Sequence, residues 1–130
     1  MTTVTCAIIQ SPRGILAVQR SAHMHLPYTW EFPGGKIEPG ETEEACLIRE
    51  IREELNIDIT LEQRLTPVEH HYDHISIILI PFLARYVGGT LKLHEHQAHR
   101  WLKKEEMGEM DWAAADVGVV REVVGIDRCR

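Results

Sequence analysis

The chain has 130 residues, with 14 Lys and Arg against 20 Asp and Glu, and a formal net charge of −6. This length suits a single domain over residues 1–130 with one hydrophobic core, and the negative charge argues against binding a nucleic acid polymer. The sequence contains no run of 18 apolar residues, so no membrane span is predicted. Its three cysteines, Cys6, Cys46 and Cys129, form no disulfide or zinc pattern, as is typical of a cytoplasmic protein.

The first part of the chain predicts a β-hairpin, a loop and a capped helix. β-Rich residues at 4–9 and 15–20 flank a Ser-Pro-Arg-Gly turn and predict two paired strands. After a loop, prolines and glycines keep residues 33–40 out of a helix. Thr42 is a suitable N-cap for a helix that runs to about Leu55, because two glutamates follow it at the positive helix end.

The remainder predicts strands and a final helix. Strands are predicted at residues 57–65, 68–72, 75–86, 91–93 and 98–102. Pro81 indicates a bulge or an edge position in the longest of them, and Gly88-Gly89 is predicted to be a hairpin turn. A helical turn is predicted at 103–107 and a helix at 113–124, with one side formed by Val117, Val120, Val123 and Val124. Strands around two helices predict an α+β fold with a mixed β-sheet between helices, an α/β/α sandwich.

The segment 35–57, GKIEPGETEEACLIREIREELNI, concentrates acidic residues on the first predicted helix. Glu50, Glu53 and Glu54 have the spacing i, i+3, i+4 and therefore cover an arc of about 100° on one helix face. The apolar residues predicted to face the core are Ala45, Ile48, Ile51 and Leu55. Clustered carboxylates repel one another, and Mg²⁺ or Mn²⁺ would relieve that repulsion. The pattern predicts a divalent-metal site, with a merely solvated acidic face as the alternative.

The same segment resembles the signature of the Nudix hydrolases, G-x(5)-E-x(7)-R-E-U-x-E-E-x-G-U, in which U is a bulky aliphatic residue. The residues that fill it at the right spacing are Gly35, Glu41, Arg49, Glu50, Ile51, Glu53, Glu54 and Ile57. Asn56 stands where the family has glycine, and Asn is the residue that next best tolerates the positive φ that ends a helix there. The resemblance implies the Nudix fold, Mg²⁺ (or Mn²⁺) as cofactor, and hydrolysis of a phosphoric anhydride bond.

The resemblance also implies roles around the metal. The implied ligands are Glu50, Glu53, Glu54, Glu95 and the carbonyl of Gly34. The general base is either Glu50 or Glu95, because a carboxylate beside a metal can deprotonate a bound water. Arg49 is implied to pair with a glutamate of the signature and to orient it, and Glu41 to support the start of the helix.

Residues 30–38, WEFPGGKIE, resemble the MutT-like branch of the family, which contains 8-oxo-dGTP diphosphatases and CTP pyrophosphohydrolases. The substrate-binding positions that this implies are Arg20, His25, Glu31, Phe32, Pro33, Gly34 and Asp116. The guanidinium of Arg20 suits bidentate binding of a phosphate. Asp116 falls where MutT-like proteins read the edge of the base, and an N-cap of the last helix is the alternative. Three apolar residues belong either to the base pocket or to the core: Ile78, Ile80 and Phe82.

Two histidine clusters offer a different metal site. They consist of His70, His71 and His74, and of His94, His96 and His99. Alternate positions on strands can converge, but the spacing matches no standard zinc motif and no cysteine joins it. Solvent-facing histidines, or histidines at the edge of the substrate, are therefore the preferred interpretation.

The expected function is Mg²⁺-dependent nucleoside triphosphate pyrophosphohydrolysis. The substrate would be 8-oxo-dGTP or a (d)CTP-type nucleotide, cleaved to the monophosphate and pyrophosphate, as in sanitation of the nucleotide pool and DNA repair. ADP-ribose and dinucleoside polyphosphates are alternative substrates, and a catalytically silent nucleotide-binding regulator is an alternative of another class. The partner is the nucleotide, with no nucleic acid polymer and no membrane, and the protein is expected to be a monomer or a homodimer.

Overall fold

The computed structural model describes the backbone of residues 1–128 and the side chains of residues 1–125. Within this part of the chain, eight strands form one mixed sheet. The strands are β1 (Thr2–Ser11), β2 (Gly14–Gln19), β3 (Trp30–Glu31), β4 (Gly34–Lys36), β5 (Ile57–Arg64), β6 (Val68–His71), β7 (Ser76–Gly89) and β8 (Ala98–Leu102). The helices are α1 (Glu43–Leu55), α2 (Ala114–Arg128) and a 3₁₀ helix (Lys104–Glu109). The sheet order is β3-β2-β1-β7-β5, with β4 paired to β1, β6 to β7 and β8 to β2.

Strand β1 is buried on both faces and joins two cores. It runs parallel to β7 over residues 2–10 and antiparallel to β2 and β4. Cys6 and Ile8 pack in the core that α2 covers, and Ala7 and Ile9 in the core that α1 covers. Successive side chains of a strand point to opposite faces, so one continuous apolar run supplies both cores. The predicted mixed sheet with a helix on each face is confirmed.

Helix α1 begins and ends as the sequence predicts. The Thr42 hydroxyl accepts from the Ala45 N–H at 3.0 Å, and Asn56 ends the helix in the left-handed region with φ 59°. The buried face consists of Cys46, Leu47, Ile51 and Leu55. The assignment of Ala45 and Ile48 to this face is wrong, and both are exposed. The helix packs on the sheet through a stripe of residues that includes Leu47. This stripe is rotated around the helix axis away from Ala45 and Ile48.

Strand β7 occupies a central position, between β1 on one side and β5 and β6 on the other. Pro81 is therefore not on an edge strand. It lies where β6 ends its pairing at Leu79 and β5 begins at Phe82, so its missing N–H falls in the gap between two partners. Its carbonyl still accepts from the Leu65 N–H at 2.8 Å.

The predicted hairpin turn at Gly88-Gly89 is wrong, because β7 continues through both glycines and pairs with the start of β5. Gly89 is required by close approach: φ is 87°, and a Cβ would overlap the carbonyl of Asn56. Residues 91–93, predicted as a strand, form none, and instead Leu91 and Leu93 pack against the α1 core.

Helix α2 begins at Ala114 and continues beyond the predicted end at residue 124. It buries Val119, Val120 and Val123, whereas Val117, predicted on the same side, is exposed. None of the helices in the described residues is both long and apolar enough to cross a membrane. Cys6 and Cys46 are buried free thiols, and Cys129 lies outside the described residues.

Candidate active site

Gly34 and Gly35 bring strand β4 into close contact with both the sheet and helix α1. A Cβ on Gly34 would overlap the backbone carbonyl of Thr5, and a Cβ on Gly35 would overlap the Glu50 carboxylate. The Glu50 side chain therefore lies directly against the β4 backbone, an approach that only glycine permits. Cys46 reinforces this contact, because its thiol donates to the Lys36 carbonyl at 3.3 Å.

Arg49 connects the loop before α1 to the acidic face of the helix. Its Nε and Nη2 donate to the two oxygens of Glu41 at 2.6 and 2.9 Å, and its Nη1 donates to Glu50 at 3.1 Å and to Glu53 at 2.9 Å. Glu41 also accepts from the Glu38 N–H. The hydrogen bond from Arg49, and then the one from Glu38, lower the pKa of Glu41 to about 2. Arg49 thus pairs with a glutamate of the signature, as the resemblance implies, and it also ties Glu41, in the loop before α1, to the acidic face of the helix.

Glu54 has a shielded oxygen without a partner. Within the described residues, its Oε2 is buried and forms no hydrogen bond. Burial first, and then the charges of Glu50 and Glu95, raise the pKa of Glu54 to about 8. Burial also raises the pKa of Glu50, to which Glu53 and Glu95 contribute. Glu95 comes from the segment between β7 and β8, so its carboxylate and those of α1 share one electrostatic site.

The donor set fits a hard divalent cation. Among the side chains of residues 1–125, no three acidic, histidine or cysteine groups converge into a preformed metal cage. Arg49 explains part of this, since one of its nitrogens holds both Glu50 and Glu53. Glu54 nevertheless places a buried acceptor without a donor among neighbouring carboxylates, which is the chemistry that an oxygen-seeking cation satisfies.

A cavity of about 410 Å³ adjoins these carboxylates, with Glu54 in its wall. The expected substrate-binding residues in its lining are Arg20, His25, Glu31, Phe32, Gly34 and Asp116. Pro33 is buried behind it, where its carbonyl accepts from the Ala7 N–H at 2.8 Å. A cavity of this size is within the range that accepts small molecules such as nucleotides.

Asp116 is in the lining of the cavity and is only 5 % exposed. It is the third residue of α2, so the alternative that it caps this helix is wrong. Its Oδ2 accepts from the Phe32 N–H at 2.9 Å, which joins α2 to the segment after β3. Burial, and then the charge of Glu31, raise the pKa of Asp116 well above its usual value. A carboxyl in this setting can offer an O–H as well as an acceptor oxygen.

Glu31 is held by two partners in the cavity wall. Its Oε1 accepts from Arg20 at 2.9 Å, and its Oε2 is 2.7 Å from Nε2 of His96. Arg20 also donates from Nε to the His25 carbonyl. Arg20, expected to bind phosphate, thus donates from both Nε and Nη1 to the protein, and its phosphate-binding role stays a prediction.

His96 and Tyr72 both line the cavity. His96 is buried, so of the two interpretations of the histidines the solvent-facing one is wrong for this residue and the position at the edge of the substrate stays a prediction; within the described residues its Nδ1 has no partner. Sequence reasoning missed Tyr72 as a site residue. Tyr72 lines the cavity, packs edge-on against His25 at 5.5 Å, and accepts from the Ala115 N–H. The signal for His96 is its place next to Glu95 in the sequence, but nothing local indicated that it would face Glu31.

The side chains show which residues of β7 belong to the core and which line the cavity. Ile78, Ile80 and Phe82 pack in the α1 core, while Ile77 and Leu79 line the cavity. The core interpretation is therefore confirmed, and the cavity uses the alternate positions of β7. Among the described side chains, neither histidine cluster brings three ligating groups together, and the preference for a non-zinc role stays a prediction.

Comparison with known proteins gives consistent results. The sequence matches the NUDIX domain over residues 1–123. It is 37 % identical to the CTP pyrophosphohydrolase of Escherichia coli, across 100 % of this chain and 96 % of the relative. It is 32 % identical to the putative 8-oxo-dGTP diphosphatase 2 of Mycobacterium tuberculosis, across 84 % of this chain and 78 % of the relative.

A solved structure shows the same architecture. The solution structure of the E. coli ORF135 protein superposes with a TM-score of 0.88 at 34 % identity. The match covers 100 % of this chain and 93 % of that chain, so it includes the sheet, both helices and the segment that carries Glu95.

Proposed function

This chain belongs to the NUDIX family and is a hydrolase related to nucleoside triphosphate diphosphatases, and from that premise we propose that it cleaves a nucleoside triphosphate to the monophosphate and pyrophosphate. Related proteins named as CTP pyrophosphohydrolase and 8-oxo-dGTP diphosphatase support a triphosphate substrate. The single observation that carries the proposal is the shielded, unpaired oxygen of Glu54 in the wall of the cavity, beside Glu50.

We propose that Mg²⁺, or Mn²⁺ in its place, is the cofactor. The residues that would hold it are Glu50, Glu53, Glu54, Glu95 and the carbonyl of Gly34. When bound, the cation would neutralise charge on the phosphates and polarise the anhydride bond. Glu50 has the better-defined setting for accepting a proton from the attacking water, because Arg49 orients it and Gly35 lets it lie against β4. Glu95 is the alternative base.

The base and ribose would occupy the 410 Å³ cavity. Asp116 has one oxygen engaged by the Phe32 N–H, so the other oxygen can meet a polar edge of the base. Glu31 is oriented by Arg20 and His96, and it provides a second carboxyl in the same wall. Glu31 can accept from an N–H of the base, and the buried carboxyl of Asp116 can donate its O–H to an acceptor on the base; both proposed nucleotides present N–H donors and carbonyl acceptors.

A substrate panel tests the proposal. Oxidised and normal purine and pyrimidine triphosphates, ADP-ribose and a dinucleoside polyphosphate are each incubated with the protein and Mg²⁺. Pyrophosphate and orthophosphate are measured separately. Pyrophosphate release from at least one triphosphate, abolished by a chelator, supports the proposal. Turnover confined to ADP-ribose or to dinucleoside polyphosphates would overturn the triphosphate assignment, and no turnover with any substrate would favour a binding role.

A further inference from the structure

Residues 90–97 connect β7 to β8 and carry Glu95; this segment is called the Glu95 loop. Its backbone docks on the C-terminus of α1, where the Lys92 N–H donates to the Leu55 carbonyl at 3.0 Å and the His94 N–H to the Glu54 carbonyl at 3.1 Å. The last carbonyls of a helix have no partner inside the helix. The Glu95 loop therefore satisfies the end of the helix that carries the acidic cluster.

Asn56 adds a side-chain bond at the start of this loop. Its backbone N–H donates to the Arg52 carbonyl, as in any left-handed helix ending, and its Nδ2 donates to the Thr90 carbonyl at 3.0 Å. A glycine at position 56 would keep the first bond and lose the second. Gly89, the residue before the loop, lies close to the Asn56 carbonyl, where a Cβ would overlap that oxygen.

The far end of the loop is held by β2 and the residue after Arg20. The Ser21 hydroxyl donates to the Glu95 carbonyl at 3.0 Å, and the Gln97 N–H donates to the Gln19 carbonyl at 3.0 Å. The backbone around Glu95 is thus held at both ends of the loop, by the C-terminus of α1 and by residues 19–21. The Asn56 side chain contributes only to the contact with α1. Among the described hydrogen bonds and ion pairs, none is made by the exposed Glu95 side chain. The position of its carboxylate therefore depends on where the backbone of residue 95 is held.

We propose that Asn56 is a positioning residue, which holds the Thr90 carbonyl and so keeps the Glu95 loop docked with its carboxylate beside Glu50 and Glu54. The proposal rests on the proposed hydrolysis, in which Glu95 acts at the cation or on the water. Leu91 and Leu93 of the loop pack against the α1 core, so loss of the Asn56 bond is expected to loosen the docking locally rather than to release the loop. A small displacement of a catalytic carboxylate lowers the rate even when the fold is intact.

The experiment compares Asn56→Gly and Asn56→Asp with the wild-type protein. Both substitutions tolerate the left-handed conformation, and both remove the amide donor that faces Thr90. We expect kcat to fall about 10-fold or more with KM nearly unchanged, and the melting midpoint of Asn56→Gly to stay close to wild type. Hydrogen exchange without added cation should become faster at the amides of Lys92 and His94.

A double-mutant cycle separates positioning from general destabilisation. In a Glu95→Gln background, Asn56→Gly should have little further effect on kcat, because the group that it positions is already gone. Thr66→Ala is the matched control. It removes a side-chain bond of similar exposure, from the Thr66 hydroxyl to Glu122 at 3.1 Å, in the connection between β5 and β6. It should leave kcat and the exchange of Lys92 unchanged.

Full activity of Asn56→Gly, or an equal loss in the Glu95→Gln background, would overturn the proposal. A loss of kcat that merely follows the melting midpoint across all variants would also overturn it. If the wild-type protein hydrolyses nothing in the substrate panel, the proposed function fails separately. Amide exchange alone then decides the docking: faster exchange in Asn56→Gly supports it, and unchanged exchange refutes it.

Discussion

Glu54 combines three properties that favour a cation over a hydrogen-bonding partner. One oxygen is shielded, this oxygen has no donor within the described residues, and burial together with neighbouring carboxylates raises the pKa of the side chain to about 8. Each property separately has a structural explanation, but together they leave a buried acceptor that the protein does not satisfy. Unsatisfied buried carboxylates are costly, so this side chain is expected to serve a bound ligand.

Substitution of Glu54 tests this role directly. Glu54→Gln keeps the shape of the side chain and removes its charge, and we expect turnover with Mg²⁺ to fall at least about 100-fold because charge stabilisation by the cation is lost. Glu53→Gln should have an effect in the same direction. Glu44→Gln is the control, since it makes the same change at an exposed position of α1. Steady-state kinetics measure turnover, and near-normal rates in well-folded Glu54→Gln would contradict the metal assignment.

Asp116 is expected to determine selectivity rather than chemistry. A pocket that hydrogen-bonds a base edge loses discrimination when its polar group is removed. Asp116→Ala should therefore flatten the ranking of kcat/KM across the nucleotide panel while the Mg²⁺ dependence stays the same. Asp116→Asn should move preference toward 8-oxo-dGTP, and Val117→Ala, on the exposed side of α2, should change nothing. An unchanged ranking together with a lower melting temperature would mean that Asp116 only joins α2 to Phe32.

The buried carboxyl of Asp116 also makes stability depend on pH. Its folded-state pKa is raised by burial and by Glu31, so its stabilising contribution is fully present below the unfolded pKa of about 3.9 and is lost as pH rises toward the folded value. Asp116→Asn keeps an acceptor for the Phe32 N–H and does not titrate. The free energy of unfolding of Asp116→Asn minus that of wild type should therefore increase as pH rises above about 4. Urea unfolding at several pH values measures it, and a constant difference would show that burial does not hold the proton.

At the scale of elements, α1 is specified locally and completed by the loop that docks on its end. Its caps and its acidic face follow from nearby residues, whereas the exact position of its buried stripe, which runs through Leu47, depends on how the helix meets the sheet. The carbonyls at its C-terminus, however, are satisfied by Lys92 and His94, which are more than 30 residues away. The C-terminus of α1 is thus where the helix that carries the acidic cluster contacts the distant loop that carries Glu95.

The left-handed conformation at Asn56 predicts how this element responds to substitution. Asn56→Val should destabilise the protein by about 1 kcal/mol or more, because a β-branched residue resists positive φ. Asn56→Gly should be close to neutral in stability, since it gains conformational ease and loses the bond to Thr90. Urea unfolding provides the free energies. Equal stability of all three proteins would show that the backbone at residue 56 leaves the left-handed region.

At the scale of the whole molecule, the site draws on both faces of the sheet and on residues from Arg20 to Asp116 along the chain. The α1 side contributes the carboxylates, and the α2 side contributes the cavity and Asp116. Strand β4 lies between them, because it pairs with β1 and touches Glu50. A ligand in the site therefore contacts elements from all three layers.

Binding of a cation should consequently stabilise the entire fold. A ligand that binds only the folded state adds about 2.7 kcal/mol at one hundred times its dissociation constant. We expect Mg²⁺ to raise the melting temperature of the wild-type protein, a chelator to reverse the shift, and Glu54→Gln to show a smaller shift. Differential scanning fluorimetry with matched ionic strength is the measurement. An equal shift in Glu54→Gln would indicate that the cation acts by general screening of the negative charge.

The sequence by itself determined α1, its two caps, the glutamates that it presents and the family to which the chain belongs. These features depend on spacing within about 20 residues, and helical periodicity converts such spacing directly into a shared face. The hairpin of β1 and β2 was predictable for the same reason, since a turn joins strands that are adjacent in the chain.

Only the tertiary structure decided the rest. The parallel pairing of β1 with β7 places Pro81 in a central strand. Gly89, expected in a turn, instead lies in β7 so close to the Asn56 carbonyl that a Cβ would not fit. His96 meets Glu31 from 65 residues away, and Asp116 meets Phe32 from 84 residues away. Neither pair has a local signal, because such contacts depend on the packing of whole elements rather than on the preferences of their own neighbours.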